Sequence, residues 1–184
     1  NARNVFDTIV NESWNNGDPG IIFIDEINRK RGSKEKIEAT NPCGEQPLLA
    51  NESCVLGSIN LIKFVHNKKL DWNKLRKVVR TAVHFLDNVI DANGYITRDI
   101  QTMTLGNRKI GLGVMGWAEM LILLGMKYDS NKALRFGESL MYFINKEARK
   151  KSYELALERG NFPNFENSSI KNKYKFMRNL TVTT

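Results

Sequence analysis

The chain has 184 residues, 41% hydrophobic and 26% charged, which is about one domain's length with enough apolar material for a core. No apolar run approaches the roughly 18 residues of a membrane span, and Asn1-Ala2-Arg3-Asn4 carries no secretory pattern. The net charge of +8 admits nucleic acid, a membrane surface or phosphorylated small molecules as partners, beside the plainer reading of solvated helix faces.

Residues 3–16 carry Val5, Phe6, Ile9, Val10 and Trp14 at helical spacing, and Gly17-Asp18-Pro19-Gly20 ends that helix with turn chemistry. Ile21-Ile22-Phe23-Ile24 reads as a short strand buried on both faces. Asn28 to Lys34 follows as a basic surface loop, and Val55 to Ile62 reads as a second strand. Asp71 is placed to cap a helix running to about Ala92, with Leu75, Val79, Leu86 and Ile90 in its apolar stripe. A third helix is expected from near Arg108 to Leu124, stopped by Gly125. A fourth runs from Ser130 to about Arg159, before Gly160 and Pro163. Residues 164–175, rich in Asn, Ser and Lys, read as an exposed loop. This order of elements indicates the α/β class, though not a complete α/β domain. The first residue, Asn1, and the β-prone ending Thr181-Val182-Thr183-Thr184 read as a piece of a longer chain.

Both cysteines, Cys43 and Cys54, lie in one segment without helical character. With no export signal, they point to a reducing, cytoplasmic compartment and to chemistry more than structure. Pro42 and Gly44 disfavour a helix around Cys43. In an extended backbone Asn41, Cys43 and Glu45 would point the same way. The carboxylate could then accept a proton from a hydroxyl, the amide could bind oxygens, and the thiol could react as a nucleophile or exchange a hydrogen atom. Like-charge repulsion from Glu45 works against a thiolate, which needs a positive neighbour, so this setting favours a neutral thiol in one-electron chemistry. A zinc site would need four ligands at short paired spacings, which these cysteines lack. A Cys43–Cys54 disulfide conflicts with a reducing compartment. Two inert buried thiols remain the plain alternative.

Asn41-Pro42-Cys43-Gly44-Glu45-Gln46-Pro47-Leu48-Leu49, followed by Glu52-Ser53-Cys54-Val55-Leu56-Gly57-Ser58-Ile59-Asn60-Leu61, closely resembles the active-site segment of ribonucleotide reductases. The match is best to the class II, adenosylcobalamin-dependent enzymes. Gly17 to Asp25 and Asn107-Arg108-Lys109-Ile110-Gly111-Leu112-Gly113-Val114-Met115-Gly116 resemble flanking family segments, so the likeness covers nearly the whole chain. It implies an incomplete central piece, residues 1–184, of a ten-stranded α/β barrel with several long helices, whose finger loop is about 38–54. It also implies reduction of ribonucleoside di- or triphosphates to 2′-deoxyribonucleotides with adenosylcobalamin, a thioredoxin- or glutaredoxin-type or other dithiol reductant, and a homodimer of the full-length protein. By the same likeness Cys43 is the thiyl-radical cysteine, Glu45 takes the 3′-hydroxyl proton, and Asn41 hydrogen-bonds the substrate. Cys54 is one of two cysteines that end as a disulfide; its partner is absent from this sequence. The family's phosphate-binding turn follows a segment like Asn179 to Thr184, and the fragment alone is not expected to turn over.

Two other readings fit the same residues. One is the large subunit of a class I reductase, with its radical made by a separate metal subunit. The other is a non-catalytic basic α/β module that binds nucleic acid through Arg29 to Lys36 and Lys171 to Arg178. Gly111-Leu112-Gly113-Val114-Met115-Gly116 has the form of a dinucleotide loop, but polar, basic residues precede it where a strand is required, so its glycines are expected to serve helix packing. His66 and His84 read as loop and helix-surface residues, and Trp14, Trp72 and Trp117 as packing residues.

Overall fold

The computed structural model of the protein describes residues 1–31 and 35–183. They fall into two compact units, Asn1–Ala50 and Asn51–Thr184.

In the first unit, α1 (Ala2–Asn16) is the expected N-terminal helix. The Asn1 side chain accepts the Arg3 N–H at 3.0 Å, satisfying one of the open first-turn donors. Trp14, expected to pack, is 86% exposed. The strand expected over Ile21–Ile24 does not form: Ile21, Ile22 and Phe23 are exposed, and α2 (Ile24–Arg31) begins where the apolar run ends. A short apolar run alone does not separate strand from helix, and Asp25 and Glu26 in the first turn favour a helix start through the backbone dipole. Helix α2 thus takes the first part of the expected basic loop; residues 32–34 lie outside the described residues. Asn28 ties α2 to the next segment, donating to the Ile24 and Ile37 carbonyls at 3.0 Å and accepting the Ile37 N–H at 2.7 Å. An antiparallel hairpin, β1 (Ala39–Thr40) with β2 (Pro47–Leu48), follows.

In the second unit, β3 (Val55–Asn60) lies parallel to β6 (Ile110–Met115), with Val55 opposite Ile110 and Asn60 opposite Met115. On the other side of β6, the Ile110 and Leu112 N–H groups donate to the Thr181 and Val182 carbonyls at 3.3 and 3.1 Å. Three parallel stretches therefore stand side by side. Parallel neighbours need long crossovers, and helices supply them. Between β3 and β6 the chain forms a small hairpin, β4 (Val65–His66) with β5 (Lys69–Leu70), then α3 (Trp72–Ala92) and α4 (Arg98–Asn107). Between β6 and residues 181–183 come α5 (Trp117–Leu124) and α6 (Asn131–Arg159). This is the α/β class the sequence indicates.

Helix α3 follows its sequence pattern. Asp71 accepts the Lys74 N–H at 2.9 Å, and Leu75, Val79, Val83, Leu86 and Ile90 are buried. They share one core with Leu140, Ile144, Ala148 and Leu155 of α6. Burying each Val, Leu or Ile of this core contributes about 1.5–3 kcal/mol. Trp72 meets Phe143 edge-on at 4.8 Å, and Trp117 stacks on Phe136 at 6.1 Å.

The helix expected from Arg108 to Leu124 is instead a strand and a shorter helix. Arg108 adopts the left-handed region at φ +46° and ends α4, β6 takes the next stretch, and α5 starts only at Trp117. A segment apolar on all sides fits a buried parallel strand as well as a buried helix. Gly111 and Gly113 therefore lie within a strand, neither in a helix seam nor in a loop that cradles a dinucleotide. The expected loop at 164–175 contains a short 3-10 turn, Phe165–Asn167, whose Phe165 packs with Phe162 and Met177 in a second small core. Among the described residues, no helix is long and apolar enough to cross a membrane.

Candidate active site

The Asn41–Glu45 segment is a turn at the tip of the β1–β2 hairpin, not the extended run expected. The Gly44 N–H donates to the Asn41 carbonyl at 3.0 Å, closing a β-turn with Pro42 and Cys43 at its two central positions. Asn, Pro and Gly stand at the first, second and fourth positions, where such turns favour them, and Gly44 has φ +82°. A second tie closes the loop: the Asn41 N–H donates to the Gln46 carbonyl at 3.1 Å, and the Asn41 Oδ1 accepts the Gln46 N–H at 2.9 Å. Gln46 is buried while Cys43, Gly44 and Glu45 are exposed. The loop is thus anchored at its base and presents the thiol and carboxylate at its apex. The Asn41 oxygen is committed to the loop; its amino group has no protein partner among the described residues.

Cys54 belongs to the second unit and stands at the entrance to β3. It is of intermediate burial and forms no disulfide among the described residues. Its surroundings contain charged residues that the sequence reading did not single out. Glu52 is buried, and Oε2 accepts from Lys109 Nζ at 2.7 Å while Oε1 accepts from Asn107 Nδ2 at 2.6 Å. Ser53 Oγ lies 2.6 Å from Thr104 Oγ1. Farther along α3, Asp87 is fully buried and receives Arg108, Arg159, Arg178 and Asn179. Arg108 also donates to Asp91 at 2.7 Å, and that hydrogen bond holds the Asp91 carboxyl below its ordinary range. Only the polar stretch Asn107-Arg108-Lys109 between apolar runs signals these contacts in the sequence.

Of the four residues singled out, Asn41, Cys43 and Glu45 share one turn and Cys54 lies at a strand entrance. His66 is exposed in β4, and His84 Nε2 lies 2.9 Å from Arg159 on the flank of α3. Arg178, counted in the expected basic patch, is turned inward onto Asp87. No group of three or more His, Cys, Asp or Glu is placed to hold a metal ion among the described residues. An exposed thiol beside an exposed carboxylate suits chemistry on a hydroxylated substrate that docks over the tip.

Comparison with known proteins bears on this arrangement. Residues 1–183 match the family described as ribonucleotide reductase, barrel domain. The chain is 53% identical over 186 residues to a protein of Thermoplasma acidophilum named vitamin B12-dependent ribonucleoside-diphosphate reductase, covering all of this chain and 24% of that protein. A protein of the same name from Mycobacterium tuberculosis strain CDC 1551 is 47% identical over 185 residues, covering all of this chain and 27% of that protein. A ribonucleoside-diphosphate reductase subunit alpha of Chlamydia pneumoniae is 35% identical over 167 residues, covering 88% of this chain and 16% of that protein. The chain spans about a quarter of the length of the vitamin B12-dependent relatives it matches.

Proposed function

The chain belongs to the ribonucleotide reductase barrel family, and from that membership we propose that it carries the thiyl-radical centre of a cytoplasmic, adenosylcobalamin-dependent ribonucleoside-diphosphate reductase. The observation that carries the reading is the Cys43 turn: an exposed thiol at the apex of an anchored hairpin, two residues from an exposed carboxylate. The names of the two most similar relatives above support the vitamin B12-dependent class and a diphosphate substrate. The inward-facing Arg178 speaks against the nucleic-acid module.

A radical-generating group must reach the thiol from outside the loop, and the exposure of Cys43 suits that approach. Adenosylcobalamin, when bound, would supply the radical-generating chemistry that oxidises the Cys43 thiol to a thiyl radical. Cys43, as a thiyl radical, takes the hydrogen atom from C3′ of the ribose, breaking a C–H bond and forming S–H. Glu45 accepts the proton of the 3′-hydroxyl, and the open amino group of Asn41 donates to a substrate oxygen. The 2′-hydroxyl then leaves as water. Cys54 and a second cysteine from outside these 184 residues, whose only two cysteines are Cys43 and Cys54, supply two electrons and two protons and end as a disulfide. Cys43 returns its hydrogen atom to C3′, Glu45 returns the proton to the 3′-oxygen, and an external dithiol reduces the disulfide.

The test is deoxyribonucleotide formation by the full-length protein with a dithiol, with and without adenosylcobalamin, for wild type and Cys43→Ala. Cobalamin-dependent product that disappears in Cys43→Ala is expected. Product that instead requires a separate radical-generating subunit moves the protein to class I. Activity that survives Cys43→Ala removes the radical role from this residue.

A further inference from the structure

We propose that Glu52, Lys109 and Asn107 form a buried clamp that positions Cys54 for thiol–disulfide chemistry; the inference rests on the reading of Cys54 as a reducing thiol. Both charged side chains are out of solvent, Lys109 at 5% exposure and Glu52 at 0%, and they meet at 2.7 Å. Asn107 holds the other Glu52 oxygen at 2.6 Å. The next residue, Ser53, contacts Thr104 at 2.6 Å. The residue after the cysteine, Val55, donates its N–H to the Lys109 carbonyl at 3.2 Å and opens β3. Residues 52, 53 and 55 are therefore all tied to the stretch 104–109, and Cys54 lies between them. That stretch is held from behind, because Asn107 accepts Asn164 Nδ2 at 2.9 Å on its side chain and the Leu180 N–H at 3.1 Å on its carbonyl.

A buried ion pair is a poor device for stability alone, since desolvation offsets most of its attraction and an apolar pair of the same shape would serve as well. What it adds is geometry, because charge-assisted hydrogen bonds are short and directional. Thiol–disulfide exchange needs that, since one sulfur must meet another in a restricted arrangement. The half-open position of Cys54 leaves its thiol within reach of a reactant while its neighbours stay fixed.

The test uses the full-length protein with adenosylcobalamin and dithiothreitol as reductant. Lys109→Met strands a buried carboxylate and should lower the melting temperature; Glu52→Gln/Lys109→Met removes both charges and should recover most of it. With its melting temperature recovered, the double variant is expected to lose about 100-fold in kcat at unchanged nucleotide KM. A merely structural pair would recover both properties. Ser53→Ala, which removes only the Thr104 contact, is assayed alongside and is expected to lower kcat without changing KM. Wild-type kcat in every folded variant of this set overturns the clamp. Cys54→Ser separates the two claims: full dithiol-driven turnover in that variant removes Cys54 from the redox pair, and the clamp falls with it.

Discussion

The Arg108 guanidinium donates to Oδ1 of Asp87 from both Nε and Nη2, at 3.1 and 2.9 Å, where Asp87 has no exposure to solvent. The same carboxylate accepts from Asn179 Nδ2 at 2.9 Å and from Arg159 and Arg178 at 3.3 and 3.5 Å. One acid on α3 thereby joins the end of α4, the end of α6 and the stretch that leads into residues 181–183. Asp87→Asn keeps the shape and removes the charge, leaving three arginines without their shared buried counter-ion. A loss of about 3–5 kcal/mol is expected, read from urea unfolding near neutral pH. A loss below about 1 kcal/mol, the worth of an exposed pair, would mean that Asp91 alone satisfies Arg108.

Acid sensitivity should follow the carboxyls of the second unit. Hydrogen bonding by Arg108 holds Asp91 below its ordinary range, and hydrogen bonding by Arg80 does the same for Glu154. A carboxyl depressed in the folded state adds stability above its unfolded pKa and loses it as pH falls through the folded value. The window therefore opens near pH ~4 and extends downward. Both side chains are partly exposed, so the effect is modest and weakens with salt. Unfolding free energy measured from neutral pH downward should fall through this window, and fall less steeply in Asp91→Asn and Glu154→Gln. Equal slopes in all three proteins would remove these pairs as the cause.

A helix cap, a stripe of apolar residues and a turn signature are local, and those parts of the molecule were legible in the sequence. Asp71 and the Leu75–Ile90 stripe mark α3, and Ser130 through Arg159 marks α6. Asn41, Pro42 and Gly44 carried a β-turn signal as well, but the expectation of an extended run gave alternation more weight than that turn chemistry, and the structure forms the turn. Strand β6 was not legible, since its identity comes from neighbours on both sides, β3 and residues 181–183, supplied by distant parts of the chain. Nor was the Glu52–Lys109 pair, which only the parallel pairing of β3 with β6 brings together. Family likeness supplies the proposed reacting residues, but the side chains tied around Cys54 emerge from tertiary contacts.

Gly106→Ala sets helix propensity against packing. Alanine is the better helix former by about 1 kcal/mol. A Cβ at this position would, however, stand 2.6 Å from Asn164 Nδ2, the atom that donates to Asn107. The Asn164 N–H also bonds the Gly106 carbonyl at 3.0 Å, so that side chain has little room to retreat. A net loss of about 1–3 kcal/mol is expected. Removing the obstacle in Gly106→Ala/Asn164→Ala should recover most of it by the same unfolding measurement. A double variant as unstable as the sum of the singles would place the strain elsewhere.

Gly44→Ala tests the turn that carries Cys43. No atom lies within 4 Å of a Cβ placed there, so the cost is confined to the backbone at φ +82°. A left-handed conformation costs an L-residue roughly 1–2 kcal/mol. Because Gly44 is exposed at a hairpin tip, the chain can relieve that strain by loosening the turn while the second unit keeps its core. Turnover of the full-length protein should then fall about tenfold or more, with the melting temperature nearly unchanged. Gly44→Asn should retain more activity than Gly44→Ala, since asparagine visits the left-handed region more readily. Equal, undiminished activity in both variants would show that presentation of Cys43 does not depend on this turn.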